Sequence, residues 1–163
     1  MLNAKIEKAL NEQLNREMES GYIYLGMAAY FNSLNFNGFE HWMQIQAAEE
    51  LKHAMKFFKH IEERMGRVVL ESVKAPKKEW NSALHAFEEA FKHEQVVTDN
   101  IHKLVALARE EKDYATENFL QWFVAEQVEE EAAASDVVAK LKMAKDSTNA
   151  LMMLDSILGK RGE

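Results

Sequence analysis

The chain has 163 residues, 47% hydrophobic and 29% charged, with a formal net charge of −7, one proline and no cysteine. The missing thiols exclude disulfides, iron–sulfur clusters, thiolate zinc sites and cysteine nucleophiles, and six glycines and one proline are few breakers for an all-β fold. The acidic balance disfavours nucleic-acid or anionic-membrane binding, no apolar run approaches the roughly 18 residues of a membrane span, and the opening MLNAKIEKAL lacks the apolar core of a signal peptide, so a cytoplasmic protein is expected.

Helical periodicity runs through the chain and predicts five helices in one domain covering 1–163. The first, α1, is read at about 3–33, α2 at 38–65, α3 at 80–110, α4 at 114–145 and a short α5 at 148–158. Turn residues fill the α1–α2 connection from Asn32 to Gly38, and Asp113 is the expected N-cap of α4. Both connections are short, which makes each pair antiparallel neighbours. The α2–α3 connection, GRVVLESVKAPKKE, is different: fully extended it reaches about 46 Å. A helix of about 29 residues is about 44 Å long, so this link can run the whole bundle and let α2 and α3 point the same way. The expected fold is all-α: a four-helix bundle of two hairpins joined by a long α2–α3 crossover, with a short fifth helix.

Steps of seven follow one stripe of a helix surface. The stripes read Leu10, Glu17, Tyr24, Phe31 on α1; Phe36, Met43, Glu50, Phe57 on α2; and Trp80, Phe87, Glu94, Ile101 on α3. Helix α4 supplies two, Leu120, Gln127, Ala134, Leu141 and Phe123, Glu130, Val137, Ala144. Each apolar stripe is interrupted once, near its middle, by a polar residue. Glu17 and Glu50 are equidistant from the α1–α2 turn, as Glu94 and Glu130 are from the α3–α4 turn, so the interruptions fall at one height. Spacing repeats too, Glu50 to His53 matching Gln127 to Glu130, as though the halves were diverged copies.

Four carboxylates buried together, with no Lys or Arg on their stripes, demand either protons or cations. Two divalent ions would balance the charge, and carboxylate–imidazole ligation suits iron or manganese. On this reading Glu50 and His53 are metal ligands. Tyr24, one heptad beyond Glu17, is either a core tyrosine or a neighbour of the site. The run AEQVEEE, with Glu126, Glu129, Glu130 and Glu131, and Glu49 beside Glu50, is either a solvated face or an annex that handles ions. Glu131 is expected to be solvated, and His41, His60, His85, His93 and His102 to be surface or boundary residues.

With these residues in hand, the chain resembles the bacterial-type non-haem ferritins along essentially its whole length. The likeness rests on LNEQLNREMES with Glu17, on Tyr24, on AEELKH with Glu49, Glu50 and His53, on FKHEQ around Glu94, and on NFLQWFVAEQVEEE. It implies a ferroxidase in a ferritin-like bundle. Glu17, Glu50 and His53 would hold one iron, and Glu94, Glu130 and the shared Glu50 the other, with Gln127 hydrogen-bonding nearby and Tyr24 supplying an electron. Glu49, Glu126, Glu129 and Glu130 would form a third iron site. The resemblance further implies Fe²⁺ oxidation by O₂ or H₂O₂, a ferric oxyhydroxide mineral, and a hollow homo-oligomeric shell of 24 subunits with α5 near its four-fold axes.

Departures from related patterns carry information. Glu-x-x-His does not recur in the second half, which reads Gln127-Val128-Glu129-Glu130, so the second iron is expected to be held more weakly. Haem-bearing relatives place methionine after the α2 ligand Glu, where Leu51 stands here, so no haem is expected. The competing function is a di-iron carboxylate oxygenase or peroxidase without storage; a bundle with protonated or exposed carboxylates is the third.

Overall fold

Five helices account for most of the computed structural model, which describes residues 2–145 and 147–162. They are α1 (Ala4–Ser33), α2 (Asn37–Glu63), α3 (Ala83–Glu110), α4 (Tyr114–Ala144) and α5 (Thr148–Leu158). Asn3, Ser82, Asp113 and Ser147 cap the starts of α1, α3, α4 and α5, each side-chain oxygen accepting from a backbone N–H of the first turn. Asp113 is thus the α4 cap that the sequence suggests.

Two boundaries differ from expectation. Helix α3 begins three residues later than 80, because the Ser82 cap sets its start. Trp80 therefore lies in the crossover and not on the α3 stripe; it is buried instead against Tyr30, ring centroids 5.1 Å apart, and its indole N–H donates to Glu89. Helix α2 ends at Glu63, not 65, because Met65 takes the left-handed conformation (φ 58°) and the Gly66 N–H returns to the Ile61 carbonyl. Phe36 precedes α2 and stacks on Phe39.

Contacts fix the directions. Leu2 N–H donates to the Arg64 carbonyl, so α1 and α2 are antiparallel. Tyr24 meets Glu94 while Lys5 meets Glu111, so α1 and α3 are antiparallel as well. It follows that α2 and α3 point the same way, and the link 64–82 runs the length of the bundle. It is strapped to α1: Asn11 donates to the Arg67 carbonyl and accepts from Val69 N–H, and one turn on Asn15 does the same with the Val69 carbonyl and Glu71 N–H. Higher up, Tyr30 donates to the Trp80 carbonyl. These bonds satisfy backbone groups that an extended strap would otherwise leave to solvent.

The interior divides into two apolar half-cores. One gathers Phe31, Phe39, Trp42, Met43, Phe87 and Leu141. The other gathers Leu10, Leu14, Phe57, Ile61, Ile101 and Phe123. Helix α5 closes the first, with Leu158 buried and the Asp155 carboxylate accepting from Gly38 and Phe39 N–H at 2.9 Å each. The approach is so close that a Cβ on Gly38 would lie 1.7 Å from the Asp155 carbonyl oxygen. No described helix is long and apolar enough to cross a membrane.

Candidate metal centre

Between the half-cores lies a polar layer. Glu17 from α1, Glu50 and His53 from α2, Glu94 from α3, and Gln127 and Glu130 from α4 are all 5% exposed or less. The interrupted stripes with their matched heights lead to all of these but His53, which stands three residues after Glu50 on the same helix. His53 Nδ1 is 3.4 Å from Glu50 Oε2. Gln127 Nε2 lies 3.1 Å from Glu94 Oε2, and the phenol of Tyr24, itself fully buried, donates to Glu94 Oε1.

Two glutamines complete the layer that the stripes did not reveal. Gln13 Nε2 donates to Glu17 Oε1 at 2.7 Å, and Gln46 Nε2 donates to Glu130 Oε2 at 2.7 Å and to Glu50 Oε1 at 3.3 Å. Both are fully buried. A signal was present: each glutamine stands four residues before a layer glutamate, one turn away on the same face.

The donors do not saturate the carboxylates. Glu17 Oε2 and Glu50 Oε2 are buried and have no hydrogen-bond partner, nor does Gln46 Oε1. A buried, unpaired carboxylate oxygen costs several kcal/mol or takes up a proton. Burial, followed by the charge of Glu50, pushes the Glu17 carboxyl well above its ordinary range. Burial and then Glu94 do the same to Glu50. Glu130 is pushed up to about 7, chiefly by burial, with Gln46 opposing the shift and Glu94 and Glu49 adding to it. Burial and Glu94 also raise Tyr24, which keeps its phenolic proton at neutral pH.

Oxygen and imidazole donors converge well enough to hold cations. Glu17, Glu50 and His53 each present a ligand atom within 4.8 Å of the others, and so do His53, Glu126 and Glu130. This donor set, without thiolate, fits iron or manganese. Glu94, expected beside Glu130 and Glu50 at a second ion, belongs to neither group, and its two oxygens are held by Tyr24 and Gln127.

At the edge of the layer the residues separate. Glu126 is half-buried, its Oε1 3.7 Å from His53 Nε2. Glu49 is half-buried and paired with Arg161 at 2.6 Å, whereas Glu129 is exposed. Glu131, expected in solvent, is half-buried and accepts from the Thr98 hydroxyl at 2.5 Å. Of the histidines expected at the surface or its boundary, His93 is a boundary residue and His60 lies deeper. His93 is half-buried, 2.8 Å from the Ser20 hydroxyl and edge-on to Tyr24, and its pKa is lowered by burial. His60 is buried, stacked at 4.0 Å on Phe119 and 3.1 Å from the Thr116 hydroxyl. A lone histidine has no stripe partner to betray such a contact.

Comparison with known proteins agrees with this geometry. The ferritin-like domain family matches residues 7–144. A bacterial non-heme ferritin of Bacteroides fragilis is 41% identical over 99% of this chain and 100% of its own length. One of Staphylococcus aureus (strain MRSA252) is 38% identical over 99% and 97%. The crystal structure of an open-pore ferritin from the archaeon Archaeoglobus fulgidus superposes with a TM-score of 0.98 at 52% identity, covering 99% of each chain.

Proposed function

From the premise that this chain belongs to the ferritin family of iron-storage proteins, we propose that it is a ferroxidase: it binds Fe²⁺ in the buried polar layer, oxidises it, and stores the ferric product. The observation that carries the reading is the pair of orphaned carboxylate oxygens on Glu17 and Glu50, beside His53, in a layer sealed above and below by apolar side chains. Nothing in a purely structural core gains from that arrangement. A divalent substrate ion does, because it supplies the charge the oxygens lack.

In this reading Glu17, Glu50 and His53 take one Fe²⁺, and Glu50, Glu94 and Glu130 the second. Each ion gives one electron to O₂ or H₂O₂, and burial keeps bulk water from the pair. Gln13 and Gln46 hold Glu17, Glu50 and Glu130 in place through their amide N–H groups, and Gln127 holds Glu94. In the same reading Tyr24 supplies a further electron, which its hydrogen bond to Glu94 supports. Glu49, Glu126, Glu129 and Glu130 form an annex for a third iron at the exposed edge. With no histidine on α4, the second ion is held more loosely than the first, which suits a product that must leave for a mineral.

Storage requires an enclosed space, so the proposal extends to a homo-oligomeric shell of 24 chains, a single ferritin-like domain each, in the cytoplasm. Exposed Tyr22, Leu25, Leu51, Met55 and Val73 on the outer face support association. Stopped-flow measurement of Fe²⁺ oxidation tests the centre: Glu50→Ala and His53→Ala should each slow the initial phase by about 100-fold or more, as expected when a ligand is lost. Rates equal to the unmodified protein would contradict the assignment.

A further inference from the structure

The C-terminal segment beyond α5 folds back onto α2 beside the annex. Arg161 Nη2 donates to Glu49 Oε2 at 2.6 Å. Its Nη1 reaches the Trp42 carbonyl at 3.4 Å, and its guanidinium lies 4.4 Å above the centre of the Trp42 ring. The Arg161 carbonyl is 2.9 Å from His41 Nε2. Trp42 and Glu49 are seven residues apart on one stripe of α2, so a single side chain spans two turns of that helix. Asp155, capping the start of α2, fixes the direction from which the segment arrives.

This placement has an electrostatic consequence. Glu49 is paired with the Arg161 cation at 2.6 Å, and its own negative charge is felt by the Glu130 carboxyl of the layer. The annex thus contains a permanent positive charge supplied by the chain itself. We propose that Arg161 is a positioning residue that sets the affinity of the annex for a third cation, by holding the Glu49 carboxylate and by repelling an incoming divalent ion. The proposal rests on the ferroxidase reading above and on its annex of Glu49, Glu126, Glu129 and Glu130. With Arg161 in place, the two buried positions fill first and the third fills last. The guanidinium is a planar two-pronged donor and is held by stacking, so it orients Glu49 as well as neutralising it. Lysine would keep the charge and lose the orientation.

Calorimetric titration of the full-length protein with Zn²⁺, a redox-inert probe, tests the assignment at pH 7. The unmodified protein should show two tighter events and a weaker third per chain. Arg161→Gln should tighten the third event by about tenfold or more, the effect expected when a unit charge a few ångströms from a divalent ion is removed in a partly exposed site. Arg161→Lys should fall between the two, and the first two events should be unchanged in both variants. Glu49→Gln should weaken the third event in either background. A third event of equal affinity in Arg161→Gln and the unmodified protein, yet sensitive to Glu49→Gln, would overturn the role of Arg161 while leaving the annex intact. A third event absent from every variant would overturn the annex, and the proposal with it. A stopped-flow count of Fe²⁺ oxidised per chain in the first phase gives an independent readout, expected to rise from two towards three in Arg161→Gln.

Discussion

Gln46 ties α2 to α4 at the centre, as Tyr24 ties α1 to α3, since its amide donates to Glu50 on its own helix and to Glu130 on α4. Removing it with Gln46→Ala should lower Zn²⁺ affinity of the tighter events by about tenfold to 100-fold, the range typical of groups that hold a metal ligand in place. Calorimetry giving unchanged affinities would show that packing alone holds the carboxylates. Glu130 offers a second test. Its carboxyl is raised from the ordinary 4.5 to about 7, so between those pH values the cation-free folded state keeps a proton that the unfolded chain has lost. Stability from this group is therefore full below about pH 4.5 and is lost as pH rises through 7, on the order of 3 kcal/mol in total. Cation-free Glu130→Gln should be the more stable protein at pH 8, with the difference closing near pH 4.5, in denaturant melts after chelation. A variant less stable than the parent at pH 8 would contradict the sign. That Glu17, Glu50, Glu94, Gln127 and Glu130 share one buried layer was legible because each breaks an apolar stripe at a matched height, and His53 follows Glu50 by one turn of the same helix. Gln13 and Gln46 were not, because an isolated glutamine on a helix reads as solvated until its partner glutamate is known to be buried. His60 was missed for a related reason: its partners Thr116 and Phe119 come from α4.

At the scale of elements, hairpin pairing and the crossover followed from connection lengths, which bound direction directly. Helix ends followed less well. Asn35, Met65 and Lys112 all adopt left-handed conformations after α1, α2 and α3, a place where glycine is the usual signal. The expected α2 end at 65 lay two residues too far, since Met65 turns left-handed where a glycine would have marked the stop. The Asn11 and Asn15 side chains that strap the crossover to α1 were also invisible in the pattern, because their partners are backbone groups. Helix α5 is the least buried of the five and depends on Gly38, where α2 and Asp155 meet without space for a side chain. Gly38→Ala should undock α5 while leaving α1 to α4 paired. Hydrogen exchange would then show lost protection over 148–158, with protection in α1 to α4 retained. Retained protection in α5 would mean that the contact yields more readily than its geometry implies.

For the whole molecule, on the proposed ferroxidase reading a sealed polar layer accounts for binding and oxidation, whereas storage depends on enclosure by many copies. The sequence speaks to the first through residue spacing and to the second only through family resemblance, because apolar residues on an outer face carry no symmetry. Size-exclusion chromatography with light scattering, before and after aerobic loading with several hundred Fe²⁺ per particle, joins the two claims. The account predicts a particle of about 24 chains that keeps its size and retains the iron as a ferric mineral. A particle of one or two chains that holds only about two irons per chain would contradict storage and favour a di-iron enzyme acting on another substrate.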